Sequence, residues 1–277
     1  MKRILILGSN GMAGHLIFEF LKGKKQYKLF GLTEKLFIPE DYGFIIDLDN
    51  IKPDIIINTL RITVKESEDN PRNALFINSV IPKWFEKAYY NTKTKIIHLS
   101  TDCVFSGNKG NYSETDPPDG ASIYSMTKFC GEIINEKDLT IRTSVIGPNL
   151  KGKNEELFDW FLLQNGTIEG YKNAFWNGVT TLELAKQINV AIKKNICGLY
   201  HLGSNKKISK YKLLSLLNEQ WFNNKIKIKE SSKLKIDRNL IDNRKELNVL
   251  EYGKMFNELY NFMQQKKKSY FHYQLNN

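Results

Sequence analysis

The stretch Ile4-Leu5-Ile6-Leu7-Gly8-Ser9-Asn10-Gly11-Met12-Ala13-Gly14 predicts how this chain of 277 residues begins to fold. Its first four residues are apolar and typical of a short buried strand, and residues 14–23 have the spacing of a helix. The glycines at positions 8, 11 and 14 allow a sharp turn between the two. The amides of such a turn and the open N terminus of the helix attract an anion, so the stretch predicts a pyrophosphate site of the kind found in dinucleotide-binding folds.

A glycine triad on its own is weak evidence, because a purely structural turn has the same composition. Here the triad lies directly after a strand and opens a helix near the start of the chain, which is the context that the pyrophosphate interpretation requires. The residues predicted to contact the cofactor at this turn are Gly8, Asn10, Gly11, Met12, Ala13 and Gly14.

The choice of dinucleotide depends on the residues that follow the second predicted strand, 27–32. An acid there binds the ribose hydroxyls of NAD, and a base binds the 2′-phosphate of NADP. The sequence offers both Glu34 and Lys35, so NADPH and NADH both stay open. Asp47 and Leu48 follow another short strand and are predicted to border the adenine, although an exposed loop acid is an equally good interpretation of Asp47.

Apolar strands alternate with amphipathic helices through the first 150 residues, which predicts an α/β fold with a doubly wound parallel sheet. The predicted strands there are 4–7, 27–32, 54–57, 95–99 and 140–145, and the predicted helices are 14–23, 72–90 and 124–136. Beyond Pro148 the pattern changes to predicted helices 155–163, 181–191, 209–221 and 251–265 and strands 198–202 and 225–229.

Tyr124 and Lys128 stand four residues apart in a predicted helix, so both side chains lie on one face. Reduction of a ketone needs a proton donor, but a tyrosine with its usual pKa of about 10 is a weak acid at neutral pH. A neighbouring ammonium favours the phenolate, so Lys128 is predicted to lower the pKa of Tyr124 and to hydrogen-bond the nicotinamide ribose. This spacing also occurs by chance on helix surfaces, so the interpretation depends on the surroundings.

Those surroundings are the run Ser100-Thr101-Asp102-Cys103-Val104-Phe105-Ser106-Gly107, which follows the predicted strand 95–99. Active sites of open α/β sheets form at the carboxyl ends of strands. Thr101 is placed there to hydrogen-bond a substrate carbonyl together with Tyr124, and an ordinary strand-end hydroxyl is the alternative. A proton donor, a neighbouring ammonium and a hydroxyl for the substrate carbonyl would then meet in one place. This convergence favours Thr101, Tyr124 and Lys128 as catalytic residues.

Composition excludes several classes of protein. No apolar run approaches the roughly 20 residues that span a bilayer, and the run after Met1-Lys2-Arg3 is too short for a signal peptide. The three cysteines lack metal-ligand spacing and fit a reducing compartment, so we expect a cytoplasmic protein without a metal site.

The net charge is +11, of which residues 151–277 carry +10 (22 Lys+Arg against 12 Asp+Glu). That excess predicts a scattered basic surface or an anionic small-molecule partner, and no nucleic-acid motif accompanies it.

Together these segments resemble the extended short-chain dehydrogenase/reductase superfamily and, within it, the dTDP-4-dehydrorhamnose reductase family of sugar-nucleotide reductases. The resemblance spans most of the chain, and the pairing of run 100–107 with run 124–128 is its most specific part. It is also carried by residues 8–14, Ile57-Asn58, Asn78, Gly131-Glu132, Arg142-Thr143-Ser144 and 198–202.

The resemblance implies a Rossmann-like dinucleotide-binding domain at 1–148 and a smaller α/β substrate-binding lobe at 149–277, with a segment near 173–200 returning to the first domain. It implies NADPH or NADH as hydride donor, a nucleotide-linked 4-keto-6-deoxy sugar as substrate, and a homodimer as the assembly to test for. It supports the three catalytic roles and places Thr59 and Leu60 beside the cofactor. The substrate contacts that it implies are Thr101, Asp102, Cys103, Val104, Tyr124, Val145 and Trp176.

The sequence departs from the family pattern at two places where substrate is recognised. Val145 stands where the family has a sugar-contacting aromatic residue, and residues 175–181 keep a glycine and a final threonine but lose an acid, an amide and a proline. The resemblance therefore supports the reaction class more strongly than it supports the rhamnose precursor as the substrate. An N-acetylated 6-deoxy sugar on UDP stays open as an alternative substrate. Trp176 could replace the aromatic surface or belong to the core. Arg142 and Arg238 could serve sugar or diphosphate, and Arg142 could equally be structural.

Two other functions stay open. An epimerase or dehydratase that retains its cofactor would use the same Tyr124 and Lys128, but a dehydratase needs an acid pair, and here Cys103 follows Asp102. A non-catalytic regulatory subunit that binds the cofactor is the other alternative, and the intact catalytic residues count against it.

Overall fold

The structure is a computed structural model that describes residues 1–33, 37–38, 43–44, 48–151 and 156–273. Its strands are β1 (Lys2–Leu7), β2 (Tyr27–Leu32), β3 (Phe37–Ile38), β4 (Gly43–Phe44), β5 (Ile55–Asn58), β6 (Lys95–Leu99), β7 (Leu139–Thr143), β8 (Val145–Ile146), β9 (Thr167–Trp176), β10 (Val179–Thr180), β11 (Gly198–Leu202), β12 (Ile208–Ser209) and β13 (Lys227–Asp237). Its helices are α1 (Met12–Lys22), α2 (Leu48–Ile51), α3 (Val64–Asp69), α4 (Pro71–Leu75), α5 (Ile81–Tyr89), α6 (Ile123–Cys130), α7 (Leu157–Leu162), α8 (Thr181–Lys194), α9 (Lys210–Phe222) and α10 (Tyr252–Gln265). A π-helical turn, Phe76–Val80, joins α4 to α5, and 3₁₀ segments cover Asp102–Val104 and Lys267–Tyr273.

Six of the described strands form the central sheet, in the order β2-β1-β5-β6-β7-β11, and each neighbouring pair is parallel. The chain runs from β1 to β2 on one side and then returns to the other side of β1 to form β5. The carboxyl ends of β1 and β5 therefore flank the point where the strand order reverses, which is where open α/β sheets bind ligands. The predicted α/β fold with a parallel sheet is confirmed.

Alternate residues of β1 pack against two different layers of helices. Ile4 and Ile6 are buried in a cluster that includes residues of α1 and α8, whereas Leu5 and Leu7 are buried in a cluster that includes residues of α5. Because successive side chains of a strand point to opposite faces, both faces of the sheet are covered by helices.

Two helix predictions are corrected by the structure. The helix predicted at 124–136 ends at Cys130, because the chain closes on the π-helical turn at Gly131, where a Cβ would lie 1.9 Å from the backbone oxygen of Asn78. Glu132 then enters the core instead of continuing the helix. The helix predicted at 72–90 is divided into α4, the π-helical turn and α5.

The second half of the chain adds a smaller sheet of described strands, in the order β12-β9-β13, with α9 packed on β9. Residues 167–176 were not predicted as a strand, and β13 is longer than the predicted 225–229. Two other segments of this half adjoin the central layer, since β11 pairs with β7 and α8 packs on α1. None of the helices in the described ranges is long and apolar enough to cross a bilayer.

Candidate active site

The glycine turn after β1 is closed by contacts that only small residues permit. Gly8 has a φ of +79°, and a Cβ on Gly14 would lie 2.1 Å from the backbone oxygen of Gly8. The amides of Gly8 and Ser9 both donate to the carbonyl of Leu32, over 2.8 and 2.9 Å, which ties the turn to the end of β2. The third glycine therefore serves the close approach of α1 to the turn, as in dinucleotide-binding folds.

The N terminus of α1 is suited to an anion. Among the described residues, no side chain caps Gly11 at the start of this helix, and the first turn carries no acid. Met12, Ala13 and Gly14 supply the first-turn amides, whose partial positive charge favours a phosphate group. Asn10 is exposed at the tip of the turn. These residues fit the pyrophosphate of a dinucleotide.

Thr59 and Leu60 lie against the same turn from the end of β5. Thr59 Oγ1 donates to the carbonyl of Leu7 over 2.7 Å, and Leu60 is buried beside Gly8. Leu48 is half-buried at the start of α2. Asp47, predicted to border the adenine, lies outside the described residues, as do Glu34 and Lys35.

A hydrogen bond from Lys128 joins the helix α6 to the end of β6. Ser122 caps α6 by accepting from the amide of Ser125. One turn later, Lys128 Nζ donates to the carbonyl of Leu99 over 2.7 Å. Since Leu99 is the last residue of β6 and Thr101 comes two residues later, this contact brings Lys128 to the strand end that carries Thr101.

Tyr124 and Thr101 are both 7% exposed and lie close enough to interact. Burial raises the pKa of Tyr124 to about 12, while the charge of Arg61 and a hydrogen bond with Thr101 oppose the rise. The phenol is therefore protonated at neutral pH and can act as an acid. The cation that lowers the pKa of Tyr124 is Arg61, whereas the sequence-based interpretation assigned that effect to Lys128.

Lys128 itself is 2% exposed. The pKa of Lys128 is lowered to about 7, chiefly by burial and also by the charge of Arg61, against the opposing charge of Glu132. Lys128 is consequently poised between its charged and neutral forms near neutral pH. Such a lysine is typical of a functional site, and this one lies one helical turn from Tyr124.

Arg61 was not among the predicted site residues. It follows Leu60 in the loop after β5, and its guanidinium pairs with the carboxylate of Glu156, just before α7. Its electrostatic effect reaches both Tyr124 and Lys128. Its position directly after two residues predicted to border the cofactor was the signal that could have identified it.

The three residues after Thr101 are placed differently from one another. Asp102 and Cys103 are partly exposed, and Thr101 Oγ1 donates to Asp102 over 3.2 Å. Burial raises the pKa of the Cys103 thiol to about 11, so it stays protonated at neutral pH. Val104 is 1% exposed and packs in a small core with Phe105, so the structure does not bring its side chain to the site.

A cavity of about 180 Å³ connects the glycine turn with the second half of the chain. Its lining residues are Met12, Ser144, Val145, Ile146, Gly147, Glu156, Leu157, Phe158, Trp176 and Lys210. Val145 and Trp176, two predicted substrate contacts, therefore share one cavity with Met12 of the predicted cofactor turn. Trp176 is largely buried, and its indole nitrogen donates to Ser144 Oγ over 2.9 Å, so it combines a core position with one surface on the cavity.

Arg142 is a structural residue. It is 2% exposed and forms two hydrogen bonds of 2.7 Å with the carboxylate of Glu132, which also accepts from Ser100 Oγ over 2.6 Å. This buried ion pair joins β7 to the segment after α6, behind Lys128. Of the two interpretations of Arg142 that the sequence left open, the structure supports the structural one.

Comparison with known proteins matches residues 1–236 to the family described as the RmlD substrate binding domain. The chain is 32% identical to the dTDP-4-dehydrorhamnose reductases of Aggregatibacter actinomycetemcomitans, over 152 residues, and of Escherichia coli (strain K12), over 183 residues. These matches cover 52% and 62% of this chain and 51% and 61% of those proteins, so the chain spans between half and two thirds of their length. It is also 24% identical over 236 residues to the methionine adenosyltransferase 2 subunit beta of Xenopus tropicalis, covering 76% of this chain and 70% of that protein.

Solved structures support the same fold. The dTDP-4-dehydrorhamnose reductase of Clostridium acetobutylicum superposes with a TM-score of 0.80 at 22% identity, covering 95% of this chain and 99% of that one. The Bacillus anthracis reductase in complex with NADP gives a TM-score of 0.79 at 20% identity, with the same coverage. The UDP-glucose 4-epimerase of Thermotoga maritima gives 0.76 at 15% identity, covering 95% and 99%, so the fold alone does not distinguish a reductase from an epimerase.

Proposed function

The chain belongs to the family of the RmlD substrate binding domain, and on that premise we propose that it reduces the keto group of a nucleotide-linked 4-keto-6-deoxy sugar with NADPH or NADH. The observation that carries the proposal is the gathering of Thr101, Tyr124 and Lys128 at the carboxyl end of β6, with Lys128 hydrogen-bonded to Leu99. The relatives named as dTDP-4-dehydrorhamnose reductases support the same reaction class.

In the proposed reaction, a bound reduced nicotinamide would supply the hydride. Tyr124 donates its phenolic proton to the oxygen of the substrate carbonyl, because burial keeps the phenol protonated at neutral pH. Thr101 orients that oxygen through its hydroxyl group. Arg61 stabilises the phenolate that Tyr124 becomes, since its positive charge already lowers the pKa of the phenol.

The predicted residues divide between two ends of the site. Gly8, Gly11, Met12, Ala13 and Gly14 would hold the pyrophosphate, and Lys128 would donate a hydrogen bond to the nicotinamide ribose. Val145 and Trp176 would face the sugar across the cavity. We expect the protein to act in the cytoplasm, in the synthesis of glycan or polysaccharide precursors, and a homodimer stays a prediction.

The test is loss of reduced-cofactor absorbance. Purified protein is mixed with NADPH or NADH and a panel of 4-keto-6-deoxy sugar nucleotides on dTDP and UDP. We expect one substrate to be reduced and Tyr124→Phe to lower kcat by about 10²–10⁴-fold, the usual contribution of a general acid. Full turnover by Tyr124→Phe would contradict the assignment of the proton donor.

An epimerase that retains its cofactor is distinguished in the same experiment. Copurified NAD(H), with conversion of the sugar but no net loss of reduced cofactor, would replace reduction by epimerisation. A dehydratase is less well supported, because the Cys103 thiol stays protonated beside Asp102 where a second carboxylate would be needed.

A regulatory subunit is a second candidate function. The match to the methionine adenosyltransferase 2 subunit beta of Xenopus tropicalis covers more of this chain than either reductase match does. This candidate predicts NADPH binding without turnover of any sugar, together with copurification of another enzyme whose activity rises when the chain binds. Turnover in the reductase assay that is lost in Tyr124→Phe would exclude a purely regulatory role.

A further inference from the structure

His15 joins the glycine turn to a distant part of the chain. It lies in α1, directly after Gly14, and is 3% exposed. Its Nδ1 is 2.8 Å from the carbonyl oxygen of Gly11, and its Nε2 is 3.0 Å from the hydroxyl group of Tyr270. Both nitrogens of this buried ring therefore have a partner.

These two partners select one form of the His15 ring. A carbonyl oxygen can only accept, so Nδ1 carries a proton. Burial lowers the pKa of His15, so the ring is neutral at neutral pH and its Nε2 has no proton. Tyr270 stays protonated, because burial raises its pKa, and donates to Nε2. The hydroxyl group of Tyr270 thus favours the tautomer of His15 that can donate to Gly11.

The hydrogen bond to Gly11 fixes the peptide unit that opens α1. The oxygen of Gly11 and the amide hydrogen of Met12 belong to one planar trans peptide and point in opposite directions. Gly11 has no side chain to restrict its rotation, but its oxygen accepts from both the amide and the ring of His15, over 3.0 and 2.8 Å. Holding this oxygen towards the helix aims the Met12 amide, which has no partner within the helix, outwards to where a pyrophosphate would lie.

Tyr270 belongs to the 3₁₀ segment Lys267–Tyr273, which follows α10 and packs against the main core. The segment is anchored a second time by Tyr273, whose hydroxyl group donates to the carboxylate of Asp159 and accepts from the amide of Asn149. It lies outside the part of the chain that matches the family model. The contact with the glycine turn is therefore made by a segment for which membership in the family does not account.

We propose that Tyr270 is a positioning residue for the dinucleotide, because through His15 it holds the peptide between Gly11 and Met12 in the orientation that binds the pyrophosphate. The proposal rests on the proposed function, since it takes the glycine turn to be the cofactor site. Tyr270 is 1% exposed and acts on the turn through the imidazole ring. Its effect should therefore appear in the affinity for the dinucleotide and not in the chemical step.

The first test compares two variants that each lose one hydroxyl group from the same segment. Tyr270→Phe removes the partner of His15, whereas Tyr273→Phe removes the partner of Asp159 and leaves His15 unchanged. Binding of NADPH or NADH, whichever the wild type binds more tightly, is measured by fluorescence titration, and a thermal melt shows the stability that each variant has lost.

We expect Tyr270→Phe to bind the dinucleotide about three- to tenfold more weakly than wild type, the effect of about one net hydrogen bond. Tyr273→Phe should bind it as the wild type does, even where its Tm is as low as that of Tyr270→Phe. In turnover, Tyr270→Phe should raise the KM for the dinucleotide with little change in kcat.

Replacement of His15 keeps the proposal testable if Tyr270→Phe folds poorly. The amide group of asparagine can place a donor where Nδ1 lies, and it has no tautomer for Tyr270 to select. We expect His15→Asn to retain most of the affinity for the dinucleotide and His15→Leu, which has no donor, to lose about as much as Tyr270→Phe does. Tyr270→Phe should have no further effect on binding when it is added to His15→Asn.

The tautomer of His15 is measured directly by NMR of the ring nitrogens in protein labelled with ¹⁵N-histidine. The chain has four histidines, and His15→Asn identifies the signals of His15. We expect the proton on Nδ1 in the wild type and a mixture of tautomers in Tyr270→Phe. A proton on Nε2 in the wild type would overturn the proposal, as would equal affinities of Tyr270→Phe and Tyr273→Phe or failure of the wild type to bind either dinucleotide. The reductase proposal fails separately, if the dinucleotide binds with these differences but no substrate of the panel oxidises it.

Discussion

Lys128 Nζ donates a 2.7 Å hydrogen bond to the backbone carbonyl of Leu99, so the lysine of α6 is joined to the last residue of β6. The contact fixes the helix that carries Tyr124 relative to the strand end that carries Thr101. It also keeps an ionisable side chain almost completely out of water. A buried lysine in this position affects both stability and the pH dependence of activity.

Replacing Lys128 by methionine should relieve a pH-dependent cost of folding. The pKa of Lys128 is lowered from 10.5 to about 7, so between these values the unfolded chain binds more protons than the folded one. Stability from this group therefore rises with pH across that window, and the full cost is present below pH 7. We expect the difference in Tm between Lys128→Met and wild type to be more favourable to the variant at pH 6 than at pH 9. The exposed Lys254→Met is the matched control, and a difference independent of pH would show that Lys128 is not a buried cation.

Arg61 should set the pH range of activity. With its pKa near 7, Lys128 loses its proton as the pH rises, so kcat/KM for reduction should fall above about pH 7. Arg61→Gln removes a cation that lowers the pKa of both Lys128 and Tyr124. We expect the descending limb of the pH profile of kcat/KM to move to higher pH in this variant. We also expect kcat/KM to drop by about tenfold at neutral pH, because the phenolate of Tyr124 is less well stabilised.

The control for Arg61 is Lys65→Gln, an exposed cation a few residues further along the chain. Lys65→Gln should keep both the wild-type position of the descending limb and the wild-type kcat/KM. A limb that stays at the wild-type pH in Arg61→Gln would show that Arg61 does not act on Lys128 in the working enzyme.

The central layer of the fold could be predicted from the sequence because its strands are short, mainly apolar segments that alternate with longer amphipathic stretches. β2, β6 and β11 begin and end where the pattern predicts. β9 was missed because its sequence, TIEGYKNAFW, mixes charged and amide side chains with apolar ones, and its pairing with β13 comes from a segment 60 residues away. The end of α6 was missed because the approach of Gly131 to Asn78 is a tertiary contact.

The candidate site could be predicted where its residues follow strands of the central sheet, since strand ends converge at one edge. That rule brought Thr101 together with the glycine turn. It could not identify Lys210, which begins a helix of the second half and reaches the cavity only through tertiary packing. The sequence also does not show that the side chain of Val104 turns into a small core, because neighbouring residues of a 3₁₀ segment point in different directions.

Glu132 should be one of the most sensitive structural positions. Glu132→Gln keeps the size of the side chain but leaves Arg142, which is 2% exposed, without its counter-ion. Breaking one partner of a buried ion pair costs about 3–5 kcal/mol, so the free energy of unfolding in urea should fall by that order. Glu136→Gln, an exposed acid four residues later, should change it little. A loss in Glu132→Gln no larger than in Glu136→Gln would show that the pair is not needed for stability.

The glycines of the first turn should separate folding from cofactor binding. A Cβ on Gly14 would lie 2.1 Å from the Gly8 oxygen and 2.7 Å from Thr59 Oγ1, so Gly14→Ala should lower both Tm and the affinity for NADPH. A Cβ on Gly11 would meet the backbone oxygen of Gly8 at 3.3 Å, with φ at −75°, so Gly11→Ala should lower the Tm by much less than Gly14→Ala does. Its methyl group would nevertheless lie at the N terminus of α1, where the pyrophosphate would approach.

The measurement is a thermal melt together with fluorescence titration of NADPH, with Gly253→Ala as control, because a Cβ there meets nothing within 4 Å. The control should keep both properties, since alanine is also the better helix former in α10. We expect Gly11→Ala to weaken NADPH binding by about tenfold or more, the size expected for displaced charge-assisted contacts to a phosphate, while its melting temperature stays well above that of Gly14→Ala. Unchanged affinity in a folded Gly11→Ala would mean that the dinucleotide does not bind over this turn, and the position of the cofactor would have to be sought elsewhere along the sheet edge.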